Sequence, residues 1–223
     1  MHIRTTTSPD ELAHVHEQVL RPSFPDDELA DLPTLQEMLT DGTLRVVVAR
    51  DEHGLRGAAL AEWFPTTGVL LLAYLAVAPG GRGGGVGGTL LDRALDAWRT
   101  ELDPWLVVAE VEDPAQHTGS DAHGDPTARL RFYRRHGARV IPLRYAQPAM
   151  RPGGNRVPGL LLLALCASGD RLSGVEADGR WLVPTAPLRA FLEQYFTASE
   201  GAPPTGREWD AIVAGLTGPT IRV

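Results

Sequence analysis

The sequence predicts a mixed α/β chain built on a mostly antiparallel central sheet with flanking helices. Three observations carry this expectation. Apolar runs over 44–49, 55–64 and 69–77 are separated only by Asp51-Glu52-His53-Gly54 and Pro65-Thr66-Thr67-Gly68, turns short enough to join antiparallel neighbours. A strand, helix, strand crossover follows, its helix marked by Leu90, Leu91, Ala94, Leu95 and Trp98 and its second strand by residues 105–111. A length of 223 residues suits one sizeable core with an appendage.

The elements follow in order. Ser8-Pro9-Asp10-Glu11 reads as a capping box with proline at the first helical position, and Leu12, Val15, His16, Val19 and Leu20 recur at helical spacing. A linker over 21–25 leads to a second helix that closes with Leu35, Met38 and Leu39 before Asp41-Gly42. After the meander and the crossover, a polar stretch over 113–127 precedes a short helix over 128–136, which Gly137 ends. Strands are expected over 139–145 and 159–166, joined by a Pro/Gly-rich loop. Beyond them lie two amphipathic helices, one with Leu188, Phe191, Leu192, Tyr195 and Phe196, the other with Trp209, Ile212, Val213 and Leu216. The expected division is a domain over 1–167 and a C-terminal helical extension over 168–223. Two short helices cannot bury their own apolar faces, so the extension is expected to pack on the main sheet or on a second subunit, and a homodimer is one outcome.

Composition excludes several function classes. A formal net charge of −7 argues against nucleic acid as a partner. All 21 basic residues are arginine, so the lysine of a Walker A loop is missing. A single cysteine, Cys166, permits neither an intrachain disulfide nor a cysteine metal cluster, and reads as a small buried hydrophobe. The start lacks the apolar core of a signal peptide, and the longest apolar runs, 69–78 and 160–167, are about half the roughly 20 residues of a membrane helix. A cytoplasmic protein is expected. His117, Asp121, His123 and Asp125 match no compact zinc spacing, so no metal is expected and their loop reads as a solvated segment facing substrate.

The chemistry is most legible from Leu75 to Leu91, where glycines dominate the segment between a strand end and a helix start. Such a segment turns backbone N–H groups onto an anion while the helix dipole favours negative charge there, as a pyrophosphate requires. A ligand-free turn is one alternative. Another is a dinucleotide loop, since residues 83–88 also satisfy G-x-G-x-x-G and Glu110 could meet a ribose. Three strands joined by tight turns ahead of the loop weigh against that second alternative.

Two motifs resemble those of the GNAT superfamily of acyl-CoA N-acyltransferases: Arg82-Gly83-Gly84-Gly85-Val86-Gly87, following Leu75-Ala76-Val77-Ala78-Pro79, and Phe132-Tyr133-Arg134-Arg135-His136-Gly137-Ala138. The resemblance covers roughly residues 3–166. It implies a GNAT-type sheet and acetyl-CoA as cosubstrate, with the amine of a small molecule or peptide as acceptor; the sequence suggests no base beside Cys166 for a covalent acyl-cysteine route, so direct transfer in a ternary complex is expected. It assigns cofactor binding to Leu75, Val77, Arg82, Gly83, Gly85, Val86, Gly87 and Thr89, with the Val77 N–H polarising the thioester carbonyl.

The same resemblance makes Tyr133 the general acid toward the departing thiolate, a role open to a phenol that is protonated at neutral pH; a core aromatic is the alternative. It makes Glu110 the candidate base. Glu112, on the same strand face, and Glu62 are weaker candidates, and each could simply be a solvated strand residue. The fourth strand has Tyr74 as its only polar side chain, unlike relatives with a carboxylate there, which leaves the base open. Arg129, Arg131, Arg134, Arg135 and Arg139 read as a solvated helix face, with room for one arginine near the CoA phosphates. A catalytically silent CoA-binding module and an NAD(P)-dependent oxidoreductase are the competing functions.

Overall fold

A polar edge strand that hydrophobic patterning does not reveal opens the chain. β1 (His2–Thr6) pairs antiparallel with β2 (Leu44–Asp51), from His2 opposite Arg50 to Thr6 opposite Val46. Of its residues only Thr6 is buried, so the strand is held by backbone pairing and carries no apolar alternation. The computed structural model describes residues 1–25, 28–79, 84–119, 124–150 and 153–223. They divide into two units, Met1–Phe64 with Leu70–Pro104, and Pro65–Val69 with Trp105–Val223.

The first unit orders its strands β1-β2-β3-β4, with β3 (Gly54–Phe64) antiparallel to β2 and β4 (Val69–Val77) beside β3. α1 (Pro9–Val15) starts as the sequence suggests, the Glu11 N–H donating to Ser8 Oγ at 3.3 Å. The reciprocal half of the capping box is absent. The Glu11 carboxylate instead meets Arg4 at 2.7 Å and Arg50 at 3.2 Å, tying the helix to β1 and β2. α1 runs into a π-helical turn, His16–Leu20, and α2 (Leu32–Thr40) is capped by Asp31, which accepts from the Thr34 N–H at 2.9 Å.

Leu12, Val15, Val19, Leu20, Leu35 and Leu39 from these helices form one cluster with Leu44, Val46, Val48, Ala58, Leu60, Tyr74 and Ala76 of the strands. α3 (Val86–Leu102) packs on β1, β2 and β3 and buries Leu90, Leu91, Ala94, Leu95 and Trp98. Gly57 sets the approach of β3 to β4: a Cβ there would lie 2.7 Å from the Ala76 carbonyl oxygen and 3.2 Å from Leu90 Cδ2. Because the closest obstacle is backbone, Gly57→Ala should destabilise the fold by about 1–3 kcal/mol, read as a lower midpoint in urea denaturation.

In the second unit β7 (Val157–Ala167) lies between β5 (Leu106–Glu112) and β6 (Arg139–Gln147), antiparallel to both. α4 (Pro126–Arg135) precedes β6. Pro142 lacks an N–H for the ladder, and the β6/β7 register slips between Ile141 and Tyr145. Cys166 is half-exposed and not buried as expected; the register skips a residue there, with Val107 opposite Cys166 but Val108 opposite Ala164.

The C-terminal segment holds the expected helices, α5 (Thr185–Glu200) and α6 (Arg207–Ala214), yet it is not purely helical. A small antiparallel sheet, β10-β9-β8, joins β8 (Gly174–Val175), β9 (Trp181–Pro184) and β10 (Thr220–Arg222). Arg139 secures it, donating to the carbonyls of Gly179 at 2.6 Å and Val223 at 3.3 Å while its guanidinium stacks 4.2 Å from the Trp181 ring centre. Leu188, Phe191, Leu192, Phe196 and Ile212 are fully buried, so both helices cover their apolar faces within the chain. The β1/β2, β2/β3, β5/β7 and β6/β7 pairings are all antiparallel, which sets aside the parallel dinucleotide fold. No helix among the described residues is long and apolar enough to cross a membrane.

Candidate active site

The first unit supplies a strand end and a helix start. β4 buries Tyr74 and Ala76 and leaves Ala73, Leu75 and Val77 at least partly exposed on its other face. Tyr74 is an anchor: its hydroxyl donates to the Glu28 carbonyl at 3.2 Å and accepts from the Ala30 N–H at 3.0 Å. The Ala78 N–H donates to the Arg56 carbonyl of β3 at 2.9 Å. Successive amides of an extended strand face opposite edges, so the Val77 N–H points away from β3.

Arg82 and Gly83 lie outside the described residues. Gly85 is the N-cap of α3 in the left-handed region (φ 75°), and no side chain caps the helix. The Thr89 N–H closes the first helical bond on the Gly85 carbonyl at 3.1 Å, and the Thr89 hydroxyl donates to the same oxygen at 3.2 Å. The amides of Val86, Gly87 and Gly88 precede that bond and have no acceptor within the helix. Among the described residues, a Cβ on Gly85 would meet nothing within 4 Å. Open space, bare donors and the positive end of a helix dipole together suit a diphosphate.

The second unit supplies ionisable groups. Glu110 stands on β5 opposite Leu162 of β7, and its carboxylate reaches past β7 to β6. Glu110 Oε1 accepts from the Tyr145 hydroxyl at 2.5 Å, and Oε2 accepts from Gln147 Nε2 at 2.8 Å and from the Tyr195 hydroxyl of α5 at 3.0 Å. Tyr145 and Gln147 sit two residues apart and share a strand face beyond the Pro142 irregularity. Burial, the larger influence, pushes the Glu110 pKa above the ordinary 4.5, and the three hydrogen bonds pull it back. Burial, followed by the Glu110 charge, raises the Tyr145 pKa well above 10, so Tyr145 remains a donor.

Tyr133 lies buried on α4, edge-on to Phe132 with ring centres 5.2 Å apart. Burial pushes its pKa up to about 12 against the opposing charge of Arg129, so the phenol keeps its proton at neutral pH. No described residue hydrogen-bonds its hydroxyl. α4 is seated by Asp125, which accepts from the Thr127 N–H at 2.8 Å, and by Arg129, which meets Glu112 of β5 at 3.1 Å.

Glu112 is therefore committed to Arg129, with His117 at 3.8 Å, and Glu62 is a partly exposed residue of β3 opposite Leu44. His117 lies 3.3 Å from the Pro158 carbonyl, while Asp121 and His123 fall outside the described residues. No group of His, Cys, Asp and Glu among the described residues could hold a metal ion. The arginines do not act as one solvated face: Arg129 and Arg139 are engaged, whereas Arg131, Arg134 and Arg135 border an open groove of about 380 Å³.

Residues 42–137 match the family model described as an acetyltransferase (GNAT) domain. Over that segment the chain is similar to the GNAT superfamily. Among solved structures, a GNAT-family protein from Bacteroides thetaiotaomicron is similar at 24% identity and a TM-score of 0.56, over 74% of this chain and 86% of that one. The ribosomal-protein-alanine N-acetyltransferase of Brucella melitensis matches at 22% identity and TM-score 0.50, over 74% of this chain and 98% of that one. The F149A mutant of spermidine N-acetyltransferase SpeG from Vibrio cholerae matches at 17% and 0.51, over 74% and 94%. Comparison with curated proteins found no match.

The segment matching the GNAT model includes Gly85, Glu110 and Tyr133 but ends before all three donors to Glu110. Sequence reasoning missed those donors. Tyr195 counted as apolar in the helical pattern of α5, and the one available signal was the alternation Tyr145-Ala146-Gln147 on a strand.

Proposed function

We propose that this chain is an acyl-CoA-dependent N-acyltransferase that moves acetyl from acetyl-CoA to the amine of a small molecule or peptide by direct transfer in a ternary complex. One observation carries the reading beyond the fold: a partly buried carboxylate, Glu110, held by three neutral donors at a raised pKa. A carboxylate so held suits proton transfer, which CoA binding alone does not require. In this reading residues 1–167 are the transferase domain and 168–223 its extension, in a cytoplasmic protein.

Acetyl-CoA, when bound, supplies a thioester carbonyl as the electrophile. The amides of Val86, Gly87 and Gly88, with Gly85 leaving room, would hold its diphosphate, and Arg82, Gly83 and Thr89 complete that assignment. Leu75 and Val77 would line the pantetheine arm, and the Val77 N–H would donate to the carbonyl oxygen. Glu110 Oε1, with three of the roughly four acceptor sites on the carboxylate filled, keeps one site to take a proton from the attacking amine. Tyr133, protonated at neutral pH, would give its hydroxyl proton to the departing thiolate.

Acetyl-CoA at about 100 times its Kd should raise the melting temperature by several degrees, since ligation of that strength adds about 2.7 kcal/mol. Gly85→Asp should abolish this shift, measured against the variant's own melting point, by setting a side chain and a negative charge into the open space beside the helix amides. An unchanged shift would contradict the assigned loop. Release of free thiol with a panel of amines tests the transfer itself; CoA binding without release for any amine would favour the silent module.

A further inference from the structure

We infer that Tyr195, on the C-terminal helix α5, is a positioning residue for Glu110, so that the segment beyond residue 167 completes the candidate base as well as covering the sheet. The inference deepens the transferase reading and rests on it. Two of the donors to Glu110, Tyr145 and Gln147, come from one strand and approach together. Tyr195 is the donor that comes from a different element, and it shares Oε2 with Gln147. With both oxygens engaged from two sides, the carboxylate cannot rotate without breaking hydrogen bonds, and its remaining acceptor site stays on Oε1.

The Tyr195 hydroxyl is aimed by packing. Its ring stacks on Phe191 at 6.0 Å with an interplanar angle of 6° and meets Phe196 edge-on at 6.1 Å, and Phe196 in turn lies 5.3 Å from Trp209 of α6. One turn further along α5, Glu200 grips Arg156 of the β6–β7 loop through bonds of 2.6 and 2.7 Å.

The groups around Glu110 are few in kind. On β5 the neighbouring acid, Glu112, is engaged by Arg129 of α4 and by His117; β7 presents Leu162; β6 presents Tyr145 and Gln147; α5 presents Tyr195. No cation among the described residues hydrogen-bonds Glu110. Among the described residues it is neutral donors that stabilise its charged form, and removing one has a direct effect.

The test is Tyr195→Phe, which keeps the ring and its stacking but deletes the hydroxyl. Carboxyl carbon NMR of protein labelled at glutamate, with Glu110→Gln used to assign the resonance, should find the Glu110 titration moved upward by about one pH unit. The acidic limb of kcat/KM for the best amine should move up by the same amount, with KM for acetyl-CoA unchanged. Uniform fluorotyrosine labelling of the otherwise unaltered chain makes every phenol a stronger donor and should move the titration downward, a readout that needs no variant to fold. An unmoved Glu110 resonance in Tyr195→Phe overturns the inference, since Tyr145 alone can shift the fluorotyrosine sample, and leaves the transferase reading intact if Glu110→Gln is inactive. A moved resonance in an enzyme that Glu110→Gln does not impair removes Glu110 from the chemistry and overturns the inference, while thiol release with an amine keeps the transferase reading.

Discussion

Glu110→Gln should lower kcat/KM for acyl transfer by about 10²–10⁴-fold, the range general-base catalysis supplies, while the melting shift with acetyl-CoA persists. The substituted carboxamide can still accept from one phenol and donate to another oxygen in the cluster, so the local packing survives without a basic group. The pH profile carries its own signature. Burial raises the Glu110 pKa above 4.5, so the acidic limb of the wild-type profile should sit above the ordinary glutamate range, and the variant should lose that limb. The sign for stability is the reverse of the sign for activity. A carboxyl whose pKa is raised on folding contributes stability below its unfolded pKa, and that contribution is lost as pH rises through the folded value. Above the folded pKa the ionised Glu110 therefore weighs against the fold, and Glu110→Gln should melt no lower than wild type. Inactivity with a lower melting point would instead mark Glu110 as structural.

Glu200→Ala should cost about 3–5 kcal/mol of stability, because it leaves a largely buried guanidinium with the more distant Glu208 carboxylate, at 4.0 Å, as its counter-charge. The Arg156 and Glu200 side chains are only 14% and 16% exposed, and Arg156 also donates to the Thr205 carbonyl at 2.8 Å and lies 5.2 Å from the Phe196 ring centre. Without the carboxylate, the Thr205 carbonyl is the remaining acceptor that was bonded at that distance, and the Ala149 N–H loses its partner at 3.3 Å. A fall in melting temperature of roughly ten degrees is the expected reading for a chain of this size. The bond from Arg156, opposed by burial, holds the Glu200 pKa below 4.5. Stability from this pair is therefore present above about pH 4.5 and lost as pH falls through the folded value. Glu11 and Asp113, whose pKa values are also lowered on folding, make both proteins lose stability in acid, so melting curves between neutral and acid pH should fall more steeply in wild type than in Glu200→Ala; parallel declines would sink the assignment.

The strands with apolar runs were legible because their residues are buried: 69–77 was read to the residue, and β3 and β5 to within one at either end. β1 was invisible because an edge strand of histidine, arginine and threonines is specified by its partner's backbone. β8, β9 and β10 were missed for a related reason: each is four residues or shorter, and Leu182 finds its partner forty positions away at Arg222. The carboxylate and the phenol of the candidate site could be named from motifs, since they lie in the segment that resembles the superfamily. The groups that set the electrostatics of Glu110 could not. A hydrophobicity pattern scores a tyrosine by its ring, while what matters at Tyr145 and Tyr195 is where the oxygen ends up, and that depends on a proline-broken ladder and on the seating of α5.

The donors to Glu110 lie 35, 37 and 85 residues downstream of it. During synthesis the first two can engage once β6 and β7 have paired, but the third waits until α5 has emerged and docked. Closing so long a loop is entropically slow, and the carboxylate spends that interval with only part of its support. Catalytic competence would then be the last property the nascent chain acquires, later than its capacity to grip a diphosphate on α3.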